Sequence, residues 1–387
     1  MSNNELIGKL RGQGLALNQR AAQVLGNGFD WMFRRDKLVK SGRTWFELVH
    51  DGDPMAVRYY GLPEENDIEL VDGSRMPIQR EQHAVPLVLV PPLGVTTETF
   101  DLMPQRSLVR YMAARGFKTY LVDWGRPTRE HAHLRLRDYA DVMLGTALAK
   151  IRKHSGSQDV ALMGWCMGGL LSLLYQGLNH DPHVRNIVTV ASPIDMRGGG
   201  IVAGAAQALN GPAQLIRRYS NLRMDMLDPL KMQMPAWFTT LAFKLTDPVG
   251  SVTTYWDLVA GMSDRAFVES HSTTADYLNH MLMYPAGVIQ DMLVKVAVDN
   301  KLASGRIELG DRLAELDRIR SSLLVFAGEK DILVPPPIAQ KLVEIVASTD
   351  KEFHVAPGGH MGVILGSKAQ SAVWAQSADW LAERSAA

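Results

Sequence analysis

The chain has 387 residues, enough for one large domain or two modest ones. Lys plus Arg equals Asp plus Glu at 41 each, a formally neutral balance that argues against a nucleic-acid-binding surface. One cysteine excludes an intrachain disulfide, and no apolar run reaches the ~18 residues that span a bilayer.

The start, MSNNELIGKLRGQG, lacks the apolar core of a signal peptide, so the chain reads as cytoplasmic, with attachment to a lipid or polymer surface left open. Residues 1–83 read as a helical and irregular N-terminal segment. Leu6, Leu10, Leu17, Ala21, Val24 and Leu25 recur at loosely helical spacing, and Gly26 and Gly28 are expected to end that helix. The basic run FRRDKLVK reads as solvated surface, and the DG pair in ELVDGSRMPI as a hairpin turn.

From Val85 strands and helices alternate. VPLVLVPP is a continuous apolar run, as buried strands are. QRSLVRYMAARG follows as a helix closed by Gly116, then strand FKTYLVDWG, helix LRDYADVMLGTALAKIRKH, strand DVALMG, helix CMGGLLSLLYQG and strand VRNIVTVASP. This alternation predicts an α/β fold with a mostly parallel central sheet and helices on both faces. Residues 84–195 form the first part of that core. Over 196–320 the alternation stops, and RGGGIVAGAAQ, MPAWFTTLAFKL and YLNHMLMYPAGVI read as helices without strands, a mainly helical cap insertion. The pattern resumes over 321–387 with strand SSLLVFAGEKD, helix Ile338–Val346 and strand KEFHVAPGGH. The last helix is expected to start at a capping box, Ser367 with Gln370, and to line one face with Trp374, Ala378 and Leu381.

The single cysteine falls in Gly164-Trp165-Cys166-Met167-Gly168, a G-x-C-x-G between a predicted strand and a predicted helix. That is the setting of a nucleophile elbow, usually written with serine. A strained turn lifts the nucleophile above the sheet, and the glycines let neighbouring backbone pass close. The helix aims its positive end at the nucleophile, with the Met167 N–H as one oxyanion donor. The second donor is expected in PPLGVTTETF, at Gly94 or Val95. A helix N-terminus and a nearby histidine favour the thiolate, the attacking form. An acyl group on sulfur stays activated toward an alcohol, which suits acyl transfer. The bland alternative is a buried structural cysteine.

In the α/β-hydrolase arrangement the order is nucleophile, acid, histidine. Asp331 in FAGEKDILVP and His360 in APGGHMGV each follow a strand, on the side where open α/β sheets bind ligands. His360 would deprotonate Cys166 or an incoming hydroxyl, and Asp331 would hold the imidazole or polarise that hydroxyl. Asp195 in ASPID is the rival acid, and a turn or cap role is the alternative for Asp331. His354 reads as structural, and Asp123 and Trp124 as residues that fix a loop. No metal constellation is visible: HAH at His131–His133 stands alone, and no G-x-G-x-x-G follows a strand. No bound cofactor is expected, and coenzyme A would be a substrate carrier.

The blocks YLVDWGRP, GWCMGG, GEKDILVPP, PGGHMGV and SKAQ, in that order, resemble the catalytic subunit of class III polyhydroxyalkanoate synthases. That family is itself related to α/β hydrolases and uses cysteine as nucleophile. The resemblance runs from about Pro86 to the C-terminus and is patchy in the cap. It implies that Cys166 is acylated by an (R)-3-hydroxyacyl-CoA, that His360 acts as base, and that Asp331 assists activation of the 3-hydroxyl. Repeated transfer would lengthen the polymer and release coenzyme A. It also implies a homodimer, often with a second synthase subunit, at the surface of polymer granules. The chain departs from the family at Met167, where glutamine is usual, and in PPLGVTTETF, which lacks the family's asparagine. TTADYLNHML also stands where the family has a tryptophan-bearing stretch. Two other classes compete. One is a thioesterase, esterase, lactone hydrolase or depolymerase with the same triad; the other is a non-catalytic granule-coating protein that keeps the fold.

Overall fold

An eight-stranded sheet organises the residues that the computed structural model describes: 3–199 and 257–385, the single positions 204, 237 and 240, and side chains from residue 18 on. The helices expected over 200–256 otherwise lie outside the described residues. Helix α1 (Asn3–Phe33) leads into β1 (Glu47–Asp51), β2 (Ala56–Tyr60), the hairpin β3 (Asp67–Glu69) and β4 (Arg75–Pro77), and β5 (Leu87–Val90). Then come α2 (Leu108–Ala114), β6 (Thr119–Asp123), α3 (Leu144–Ser155), β7 (Val160–Trp165), α4 (Met167–Asn179) and β8 (Val184–Val190). Beyond residue 256 follow α5 (Arg265–Asn279), β9 (Arg306–Leu309), β10 (Arg312–Glu315), β11 (Ser322–Gly328), α6 (Pro336–Ile345), β12 (Lys351–Ala356) and α7 (Ala375–Glu383).

The strand order is β1-β2-β6-β5-β7-β8-β11-β12. The six strands from β6 to β12 pair in parallel, and β2 and β1 extend one edge antiparallel. The apolar runs of β5 and β7 are buried throughout, but their residues divide between two cores. Val88, Val90, Leu162, Leu323 and Val325 pack on one face with α3, α4 and α6. Leu87, Leu89, Met163, Trp165, Leu324 and Phe326 pack on the other with α2, Trp374, Ala378 and Leu381. Successive strand residues point to opposite faces, so helices on both sides require an unbroken apolar run. This is the α/β-hydrolase arrangement. Among the described residues, no helix is long and apolar enough to cross a membrane.

Four sequence expectations need correction. Helix α1 runs through Gly26 and Gly28 to Phe33. Tertiary contacts offset the ~1 kcal/mol that each glycine costs a helix. Asn27 donates to the Met262 carbonyl at 2.8 Å, Arg265 pairs with Asp30 at 2.7 Å, and Trp31 packs on Leu38, Leu258 and Val268. Strands β1 and β2 had not been expected, because polar residues such as His50 and Arg58 hide their period; Arg58 is held by Asp123 and by the Phe46 ring. The stretch 196–320 was expected without strands, yet β9 and β10 form a hairpin in it. Its alternation places Ile307 and Leu309 in the core beside the α4 residues, with Arg306 and Glu308 exposed. The capping box at Ser367 and Gln370 is absent: the Gln370 side chain instead accepts from the Val71 N–H at 2.9 Å and donates to the Gln105 carbonyl.

The two-faced core makes a quantitative prediction for urea denaturation. Leu162 is fully buried and Leu313 is 43% exposed. Leu162→Ala should lower the unfolding free energy by about 2–5 kcal/mol, and Leu313→Ala by about 0.5 kcal/mol or less.

Candidate active site

Strand β7 lies beside β5, where the strand order reverses direction, and ligands of open α/β sheets bind in such a crevice. Cys166 follows β7 immediately and caps α4 with φ 52° and ψ −120°. Its N–H donates to the Val190 carbonyl at 2.7 Å, which fastens the turn to the end of β8. Two glycines make the turn possible. A Cβ at Gly168 would stand 1.9 Å from the Val90 carbonyl oxygen, and one at Gly164 would stand 2.3 Å from the Gly169 nitrogen. The first turn of α4 therefore presses against the end of β5. The first N–H groups of a helix have no intrahelical acceptor, and the Met167 N–H is one of them.

Asp331 sits in the turn after β11, with its side chain buried. One carboxylate oxygen accepts from the Leu333 and Val334 N–H groups, both at 2.9 Å. The other is 2.7 Å from Nδ1 of His360, whose side chain is 1% exposed. Backbone bonds register the two loops: the Glu329 N–H donates to the Ala356 carbonyl at 2.8 Å and the Lys330 N–H to the Gly358 carbonyl at 2.9 Å. Trp165, one residue before Cys166, donates its indole N–H to the His360 carbonyl at 3.1 Å. Its ring lies 5.5 Å from the imidazole.

The Nε2 atom of His360 is buried without a conventional hydrogen-bond partner among the described residues. Burial disfavours the imidazolium, but the Cys166 and Asp331 side chains more than offset this, and the His360 pKa is pushed up to about 10. The imidazolium is thus the favoured form of His360. Such a group supports folding in full below the ordinary value of 6.5 and loses that contribution as the pH rises through about 10.

The structure brings Cys166, His360 and Asp331 together and leaves Asp195 apart. Asp195 accepts from Asn300 at 2.8 Å and from the Arg197 N–H at 3.0 Å, so it organises its own loop. Gly94 and Val95 follow β5; Val95 is buried, and Gly94 has a left-handed φ of 82°. Trp124 donates to the Pro91 carbonyl at 2.8 Å, which holds the start of that loop. His354 is exposed and pairs with Glu352 at 3.1 Å. Among the described residues, no group of three His, Cys, Asp or Glu side chains could hold a metal ion. Sequence reasoning missed Trp165 and a tyrosine, Tyr284, whose ring reaches the Gly94 loop. A lone aromatic in a helix-like stretch carries no motif.

Two predictions follow from the buried pair. Asp331→Asn should lower turnover by about 10²–10⁴-fold, whereas Asp195→Asn should leave it unchanged; initial rates decide between the two acids. Between pH 7 and pH 10, the wild-type protein should lose more unfolding free energy than His360→Gln. Parallel losses in urea titrations would contradict the raised imidazolium pKa.

Residues 103–361 match the family described as serine aminopeptidase, S33 (Hydrolase_4). Similar curated proteins include the poly(3-hydroxyalkanoate) polymerase subunit PhaC of Haloferax mediterranei, 30% identical over 350 residues, which are 90% of this chain and 65% of that protein. The subunit of the same name from Haloarcula marismortui is 29% identical over 350 residues, 90% of this chain and 69% of that one. That of Allochromatium vinosum is 27% identical over 364 residues, 94% of this chain and 95% of that one. This chain thus spans about two thirds of the first two relatives and nearly all of the third. With a family match over most of its length and a nucleophile elbow on a mostly parallel sheet, the chain belongs to the Hydrolase_4 family of α/β hydrolases, with cysteine at the elbow.

Proposed function

We propose that this protein is an acyltransferase that polymerises (R)-3-hydroxyacyl-CoA thioesters into polyhydroxyalkanoate through an acyl-Cys166 intermediate. The observation that carries the reading is a cysteine at the elbow, beside the Asp331–His360 pair, in a chain similar over nine tenths of its length to poly(3-hydroxyalkanoate) polymerases. Hydrolysis can be run by serine, whereas a cysteine keeps the acyl group as a thioester, activated toward a hydroxyl.

In the first half-reaction the Cys166 sulfur attacks the thioester carbonyl carbon. Negative charge moves onto the carbonyl oxygen, which takes hydrogen bonds from the Met167 N–H and from Gly94 or Val95. The carbon–sulfur bond to coenzyme A breaks, and His360 delivers its proton to the leaving thiolate. In the second, His360 takes the proton of a 3-hydroxyl, whose oxygen attacks the acyl-cysteine. An ester bond forms and the Cys166 thiolate is released. Asp331 holds the imidazole in the orientation both steps need.

In this reading 84–195 and 321–387 form the catalytic core, 1–83 an N-terminal segment, and 196–320 an insertion between the two parts of the core. The word subunit in the relatives' names supports a partner chain. We place the protein in the cytoplasm as a homodimer with a second subunit, at the surface of the polymer it makes. The family match favours one rival, a hydrolase with the same three residues.

Coenzyme A release from (R)-3-hydroxybutyryl-CoA, measured with the weight of insoluble polymer, separates the two. The wild type should release thiol and deposit polymer, and Cys166→Ala should lose about 10⁴-fold or more of that rate. Release with free hydroxy acid as sole product would make the protein a hydrolase.

A further inference from the structure

Tyr284 lies between α5 and the helix Ala286–Asp291, about 120 residues from the nucleophile in sequence. Its ring nonetheless rests on the loop after β5. A Cβ at Gly94 would stand 2.2 Å from Tyr284 Cε2 and 2.6 Å from Cζ, the atom that bears the hydroxyl. The left-handed φ of 82° at Gly94 and the bare α-carbon together make the space that this ring fills. The contact is fastened by the Leu282 N–H, which donates to the Gly94 carbonyl at 2.8 Å. The phenol's polar edge therefore stands at the loop from which an elbow enzyme draws its second oxyanion donor. Tyr277, the other phenol of this stretch, is already engaged with Thr99 at 2.6 Å.

The electrostatics agree with that placement. Burial, and then the charges of Cys166 and Tyr277, push the Tyr284 pKa up, so its O–H stays protonated and within the field of the nucleophile. A neutral O–H donor beside a site where negative charge comes and goes is the chemistry of an oxyanion hole.

We propose that the Tyr284 hydroxyl is an oxyanion-hole donor of this enzyme, giving a hydrogen bond to the thioester carbonyl oxygen as the Cys166 sulfur adds to the carbon. The proposal rests on the acyl-transfer reading for its substrate and on the Gly94 contact for its geometry. No proton is transferred: the hydrogen bond strengthens as the carbon–sulfur bond forms and relaxes when the bond to coenzyme A breaks.

The test is Tyr284→Phe, which keeps the ring on Gly94 and removes only the hydroxyl. The kcat for coenzyme A release should fall by about 10²–10³-fold with little change in KM. Alkylation of Cys166 by iodoacetamide should proceed at the wild-type rate, because alkylation develops no oxyanion. A p-nitrophenyl butyrate burst, measured in parallel, reports the oxyanion whichever acyl donor the enzyme prefers. A burst without activity on hydroxyacyl-CoA would refute the polymerase reading and still judge Tyr284. Unchanged kcat in Tyr284→Phe, or an equal loss in alkylation, would overturn the proposal. So would a wild-type protein that is acylated by neither substrate.

Discussion

Cys166 is held at φ 52°, a backbone conformation that costs an L-residue on the order of 1–3 kcal/mol. The groups around it exist to hold it there. The Val190 carbonyl takes its N–H, and Gly168 lets α4 press on the end of β5. Buried β7 gives the turn a rigid floor, with cores on both faces. Without that strain the side chain would lie along the strand instead of standing at the mouth of the crevice. The sheet order makes the same turn functional, because β5 and β7 are neighbours and their C-terminal loops meet above the point where the order reverses.

The electrostatic half of the site is built on the neighbouring strands. Asp331 spends one carboxylate oxygen on two backbone N–H groups and the other on His360, so the acid cannot swing away. The His360 loop is pinned from the other side by Trp165. The strand that leads to Cys166 thus positions His360. The result is an imidazole whose charged form is favoured by its neighbours, Cys166 and Asp331, against the cost of burial.

The core strands, the turn at Cys166 and the Asp331–His360 pair were legible in the sequence because each carries a local signature. VPLVLV and DVALMG are apolar runs of strand length, GWCMG has elbow spacing, and Asp331 and His360 each follow a strand in the expected order. The sequence offered both Asp331 and Asp195 after strands, and in the structure it is Asp331 that lies 2.7 Å from His360. What stayed hidden depends on distant partners. Gly26 and Gly28 looked like stops because Asn27, Asp30 and Trp31 find their partners more than 200 residues away or in a separate small core. The hairpin β9–β10 did have a readable alternation in RIELGDRLAE, overlooked within a helix-rich neighbourhood. Tyr284 had no local signal at all, because its significance comes from a glycine on another element.

The proposed acyl-Cys166 is the intermediate on which the chemistry would turn. Protein mixed with (R)-3-hydroxybutyryl-CoA, quenched in acid within the first turnover and digested, should carry a 3-hydroxyacyl group on the peptide that contains Cys166, read by mass spectrometry. Coenzyme A release with no adduct on that peptide, or with the adduct on another residue, would contradict a cysteine nucleophile at the elbow.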